Sequence, residues 1–286
     1  MSSATFANAA GRHHRRLRAD AAMRASLPGS SNLAGKFGRD ALFAPLAPAS
    51  AVFSDTFTYS DGNLVGNGGW IQNGATSTNP IQVTSGHAVV GPTGQDVQNN
   101  FSSAVTHTDG TSIFAGFDLT VTAGSAAGDY FLHYIAGGGN DLRLFATTSG
   151  GGFVLGLMSS TGDLQTNGST VLSLNTTYRV VLSWNFLAGA KNDTMSIYIN
   201  PTDLTVEGNN TAYLNYTWGA GGATEPTSIA SIDLRQGTSG PAENIDNLNI
   251  GTIFADVSTI PEPSTWMMIG VGAVLLAGVQ RFRRKS

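Results

Sequence analysis

The stretch "SIFAGFDLTV" (112–121) sets the narrowest limit on how this chain can fold. Ile113, Ala115, Phe117, Leu119 and Val121 are apolar, with Ser112, Gly116, Asp118 and Thr120 between them. Successive side chains of an extended strand point to opposite faces, so this pattern buries one face and wets the other. The same period runs through "TTYRVVLSW", where Tyr178, Val180, Leu182 and Trp184 share a side, and "DTMSIYIN", where Met195, Ile197 and Ile199 do. Strands are expected too in "VFSDTF", "IQVT", "HAVV", "DYFLHYI", "DLRLFAT", "GFVLGLM", "SIASIDLR" and "NIDNLNI". Turns rich in Gly, Asn and Asp, such as "AGGGND" and "STGD", separate several of them. About a dozen short strands with no helical pattern between them predict an all-β fold, an antiparallel sandwich or jelly roll. Two packed sheets would bury the apolar faces and leave the Thr, Ser and Asp faces in water. The stretch "PTDLTVEGNNTAYLNYTWGAGGATEPTS" alternates weakly and predicts a long connection with one or two short strands, a loop either functional or floppy.

Composition agrees: 36 of 286 residues are Gly and only 12% are charged, which excludes a bundle of Glu/Lys-rich helices. Charge is unevenly spread. Between Val52 and Thr259 four basic residues (Arg143, Arg179, Lys191, Arg235) face sixteen acidic ones, a formal charge of −12. Such a surface repels phosphate backbones, so nucleic acid is excluded as a partner, while solubility, calcium or a polyhydroxylated sugar all suit it. The chain has no cysteine, which removes disulfides, thiolate nucleophiles and Cys-ligated metals.

Three segments follow. Residues 1–51 hold "RHHRRLR" and no core pattern, and read as a disordered leader. Within it, "MRASLPGSSNLAGKFGRDALFAPLAPASA" has the basic start, short apolar piece and Ala49-Ser50-Ala51 site of a degraded signal peptide. Residues 52–259 form the sandwich, and 260–286 a tail. In the tail, Pro261-Glu262-Pro263 precedes 14 apolar or glycine residues, Trp266 to Val279, within the 17-residue stretch Ser264 to Gln280, and Arg281, Arg283, Arg284 and Lys285 follow it. As a helix those 17 residues span roughly 25 Å, the short end for a bilayer core. The two prolines disfavour helix upstream, Trp266 lies where an interfacial aromatic belongs, and the polybasic end favours the cytoplasmic side. A single transmembrane helix over 264–280, with a basic tail 281–286, is expected; an uncut C-terminal anchor is the alternative.

The Pro-Glu-Pro triplet, apolar helix and Arg-rich end together resemble the PEP-CTERM sorting signal. That resemblance implies processing by an exosortase, a membrane peptidase. It also implies a Gram-negative, exopolysaccharide-making host, with passage through the inner membrane to the cell surface or extracellular matrix. "FSDTFTYSDGNLVGNGGW", "TTYRVVLSWNFLAGAKNDTMSIYINP" and "IASIDLRQGTSGPAENIDNLNIGTIFADV" resemble the opening strand and loop, a hairpin, and the closing strands of concanavalin A/laminin-G-like jelly rolls. This second resemblance covers about 55–257 and implies the sandwich, whose relatives include lectins, hydrolases, lyases and passive adhesion modules.

Motifs for covalent chemistry are missing. His87, His107 and His133 have no metal spacing, and no G-x-S-x-G elbow marks a serine. "GNGGW" and "GAGGA" lack a phosphate-loop lysine and are taken as flexible loops. Laminarinase-type jelly rolls carry E-x-D-x-x-E, with paired carboxylates flanking the glycosidic bond. The domain has only Glu207, Glu225 and Glu243; Glu243 and Asp246, three apart, would point to opposite faces of a strand. No catalytic residue is expected, and the protein is read as non-enzymatic, structural or carbohydrate-associated. A divergent glycoside hydrolase or lyase is one alternative. A lectin is another, with loop calcium held by oxygen donors such as Asp55, Asp61, Asn63, Asn140 and Asp141, which serve equally as turn formers. Trp70 is expected in the core or plugging an edge, and Trp218, in the glycine-rich connection, is the better candidate for stacking on a sugar.

Overall fold

A computed structural model describes residues 51–137 and 139–258. The leader before Ala51, and the tail with Pro261, Glu262, Pro263, Trp266, Arg281, Arg283, Arg284, Lys285 and the expected membrane helix, lie outside the described residues.

The expected strands, with others that the pattern did not predict, such as Ile71–Asn73 and Asp96–Thr106, form two antiparallel sheets. One holds β1 (Phe53–Asp55), β2 (Gly62–Asn63), β4 (Gln82–Thr84), β5 (His87–Val90) and β7 (Ser112–Ala123), with β12 (Thr177–Asn185), β13 (Thr194–Ile199), β14 (Leu214–Thr217) and β16 (Ala242–Gly251). Its order is β14-β13-β12-β7-β16-β5-β4-β2, with β1 also on β16. The other holds β3 (Ile71–Asn73), β6 (Asp96–Thr106), β8 (Tyr130–Ala136) and β9 (Gly139–Ser149), with β10 (Gly152–Met158), β11 (Thr166–Asn167) and β15 (Ser228–Leu234). Its order is β11-β10-β9-β8-β15-β6-β3. The chain is thus an all-β antiparallel sandwich of jelly-roll type. A single helical turn, α1 (Ala255–Ser258), closes the described chain.

The alternating apolar positions face the core, with Tyr178 and Ile199 only half-buried at the strand ends. Ile113, Ala115, Phe117, Leu119 and Val121 of β7 are fully buried, as are Val180, Leu182 and Trp184 of β12. The register sets Trp184 between Ile113 and Met195, so three strands contribute to one layer of core. At roughly 25 cal/mol per Å² of apolar surface removed from water, this layer is the main source of stability.

Two features depart from the expectation. The outer face of the nine-stranded sheet is not uniformly wet. Phe114, Val181 and Tyr198 point outward and are buried beneath Phe254 and Val257, forming a second apolar cluster under α1. Further, the long connection is pinned rather than floppy. Asp163 accepts from Tyr216 Oη and from the Gly219 N–H at 2.8 Å, and Lys191 Nζ donates to Ala220 O and Gly222 O. Trp218 N–H adds a bond to Asp193 O.

Candidate functional site

β16 breaks its own register. After Asp246, Asn247 is an extra residue with φ +49°, a bulge that lets Leu248 and Ile250 return to the core beside Ile245. The bulge turns the Asn247 amide onto its neighbours: Nδ2 donates to Asp118 Oδ2 at 2.8 Å and, more weakly, to Asp246 Oδ2 at 3.4 Å. Asp246 and Asp118 are direct cross-strand partners in the β16–β7 ladder. They line an open depression of about 310 Å³ on the outer sheet face, together with His87, Thr120, Thr177 and Asn244. Thr120 and Thr177 share a hydroxyl contact of 2.7 Å across β7 and β12.

The two carboxylates differ. Asp118 is engaged at both oxygens, Oδ1 by Arg179 Nη1 at 3.3 Å and Oδ2 by Asn247. Asp246 is half-buried; burial lifts its carboxyl above the usual range, and the charge of Asp118 adds to this against the Asn247 N–H and His87. Asp246 is bonded too, Oδ1 by the Asn247 N–H at 2.7 Å and Oδ2 by the long contact to Asn247 Nδ2. The groove therefore offers hydroxyls, an amide and a partly engaged carboxyl, a set that can hydrogen-bond a polyhydroxylated ligand. A glycosidase would need two free carboxyls.

Glu243 stands on the other face, as the three-residue spacing required. It is 1% exposed, inside the sandwich beside Val90 and Val121. Among the described residues neither of its oxygens has a hydrogen-bond partner, and burial raises its carboxyl well above the usual range. It is an unpaired acid in the core, where burial favours the protonated form.

The expected ligand residues are not brought together. Trp218 is a correction: it is 2% exposed, stacked on Trp184 at 5.4 Å, with Nε1 donating to Ala223 O at 2.9 Å. A ring with both faces in the core cannot meet a sugar. Trp70 is in the core as expected, and its Nε1 donates to Asp55 Oδ2 at 2.7 Å. Asp55 is a second correction. It is buried and accepts from Phe57 N–H, Tyr59 Oη and Trp70 Nε1, so it serves the fold and has no room for calcium. Asp61 lies between strands of one sheet and caps Ser85 N–H at 2.8 Å. Asp141 lies in the other sheet on β9, along with Asn140, and burial pushes its carboxyl up to about 6 against the pull of Arg143. The donors do not fit one calcium site.

"GNGGW" is likewise shaped rather than slack. Gly68 has φ +54°, and a Cβ there would lie 1.9 Å from Tyr59 Oη.

Sequence reasoning missed one cluster. His107, Asp193 and Glu225 come from three separate segments, with ligand atoms within 4.8 Å of one another. Asp193 is fully buried, accepting from Leu187 N–H, Trp184 Nε1 and His107 Nε2, each at 2.8 Å. Glu225 Oε1 takes the N–H groups of Asn192 and Asp193. These bonds account for the cluster as a clasp at one end of the sandwich.

Residues 259–285, immediately after α1, match the PEP-CTERM protein-sorting motif. The chain carries a PEP-CTERM sorting motif. That motif implies processing by an exosortase, a membrane protein, with export, membrane transit and surface localisation. No curated protein matches the chain. Among solved structures, the T. cruzi calreticulin globular domain aligns at 9% identity, covering 82% of this chain and 100% of that one, with a TM-score of 0.45. An endo-1,3-beta-glucanase from Streptomyces sioyaensis aligns at 12% identity over 73% of this PEP-CTERM chain and 98% of its own, with a TM-score of 0.43. The Emp46p carbohydrate recognition domain aligns at 11% identity over 64% and 88%, with a TM-score of 0.37.

Proposed function

We propose that the chain is a non-enzymatic surface or matrix protein of a Gram-negative bacterium, delivered by its PEP-CTERM motif, whose sandwich associates with polysaccharide through the outer-face groove. The motif at 259–285 carries the delivery half of this reading. The groove of His87, Asp118, Thr120, Thr177, Asn244 and Asp246 supports the second half, because it presents donors and acceptors at strand spacing along an open face. The commitment of both Asp118 oxygens to Arg179 and Asn247 supports the absence of covalent chemistry.

The direct pairing of Asp246 with Asp118 favours one second reading, a divergent glycoside hydrolase that uses these two carboxylates. Affinity electrophoresis of the purified protein through gels containing exopolysaccharide, with the sugar assayed for reducing ends, separates the two. Retardation without release of reducing ends, weakened in Asp246→Asn, is the expected result. Reducing ends that appear with the wild type and vanish with Asp246→Asn would establish the hydrolase. Fractionation of the host with intact-mass measurement tests delivery, and a cytosolic chain with an untouched C-terminus would defeat it.

A further inference from the structure

The last described turn is held with more force than a chain end needs. A four-residue helix has no stability of its own in water, and domain ends fray unless tied down. Here the turn is tied in three ways. Phe254 packs edge-on against Phe114 at 5.9 Å and Tyr198 at 5.6 Å. Ser258 Oγ donates to Leu204 O at 2.5 Å. Arg179, only 7% exposed, reaches across the sheet: Nη2 donates to Val257 O at 2.5 Å, and Nη1 to Asn247 O at 3.0 Å and Asp118 Oδ1 at 3.3 Å. The strand below is bare to admit the turn, since a Cβ on Gly116 would lie 1.9 Å from Val257 O.

The sorting motif starts at residue 259, directly after this clamp. Pro261 is three residues past Ser258, so the chain can carry it no more than about 10 Å from the folded surface. Any enzyme acting on the triplet must come that close to the sheet. Leu204, whose carbonyl accepts from Ser258 Oγ, is 41% exposed and offers apolar surface beside the exit.

We propose that Arg179 is a positioning residue for processing of the PEP-CTERM motif: it fixes the C-terminal turn so that the peptidase seats on this sheet face while engaging the triplet. The proposal rests on the delivery reading above. In it, the peptidase recognises the folded domain and the motif together, and the short tether makes the second contact effectively intramolecular.

The test is made in the native host with the full-length chain, reading the ratio of processed to unprocessed protein by intact mass and immunoblot. A twelve-residue Gly/Ser insert between Ser258 and Thr259 keeps every clamp contact and lengthens the tether from three to fifteen residues. Effective concentration falls as roughly the −3/2 power of tether length, so processing should slow about tenfold. Arg179→Met removes one of the three ties and leaves the Phe254 packing and the Ser258–Leu204 bond. It should therefore slow processing less than the insert does, by at most about sixfold, the limit for a chain free back to Gly251. Protease resistance of the sandwich checks that this variant folds. With the fold shown intact by protease resistance, a purely structural role for Arg179 would leave Arg179→Met at the wild-type processing rate. Wild-type rates or faster processing in the insert variant overturn the proposal; an unprocessed wild type overturns the delivery reading instead.

Discussion

Replacing Glu243 by methionine is expected to stabilise the protein at neutral pH. The carboxyl lies in the core with no partner for either oxygen among the described residues, and leaving a buried polar group unpaired costs about 1–3 kcal/mol. Methionine fills similar volume without that cost. For a domain of this size 1 kcal/mol shifts Tm by about 2–4 °C, so the expected rise at pH 7 is roughly 2–12 °C. The pH dependence is the sharper part. A carboxyl whose folded pKa is raised keeps its proton longer in the folded state, so its contribution is most favourable below the unfolded value of about 4.3 and is lost as pH rises toward the folded value. The gain from Glu243→Met should therefore be smallest near pH 4 and grow toward pH 7. Thermal unfolding of both proteins by circular dichroism across this range measures it. A variant that is less stable at pH 7, or a difference that does not change with pH, would refute the assignment of Glu243 as an unpaired core acid.

Two further outcomes follow from burial. Trp218→Ala removes a ring stacked on Trp184 and should cost about 3–5 kcal/mol in denaturant unfolding, while the protein that remains folded retains its polysaccharide retardation. Asp233, whose carboxyl is pushed up to about 8 by burial, with the charge of Asp96 adding and Asn73 and Arg235 opposing, loses stability as pH rises from about 4 to about 8. Asp233→Asn should flatten that decline, read as Tm against pH; a slope identical to the wild type would contradict it.

Much of the sandwich was legible because a half-buried strand writes its two faces into the sequence. β7, β12 and β13 are the clearest cases. β6 escaped notice because one of its inward positions is Asn99, which is buried by donating to Gly68 O at 2.9 Å and so breaks the apolar alternation. The groove escaped for a related reason. Ile245 and Leu248 are three apart in "NIDNLNI", a spacing that no flat strand can bury on one side. That irregularity is the signature of the bulge that brings Asn247 between Asp118 and Asp246. Ile229 and Ile232 in β15 carry the same mark, and a register shift lies between them. Trp218 misled because glycine-rich flanks suggest exposure, whereas Tyr216 and Gly219 on either side are moored by Asp163. The pairing of Asp118 with Arg179 depends on strands far apart in sequence, and local pattern carries no trace of it.

The borders of both sheets are cut short. One sheet ends in β14, four residues long, and β2, two residues; the other in β11, two residues, and β3, three. Unpaired backbone along a border is what recruits a neighbouring chain into a growing fibril; each terminal strand gives it little to grip, although β6 runs on to Thr106 past its three-residue partner β3. For a protein whose PEP-CTERM motif implies a place at the cell surface, these short terminal strands leave a neighbouring copy few backbone groups to pair with, while the broad sheet faces stay open.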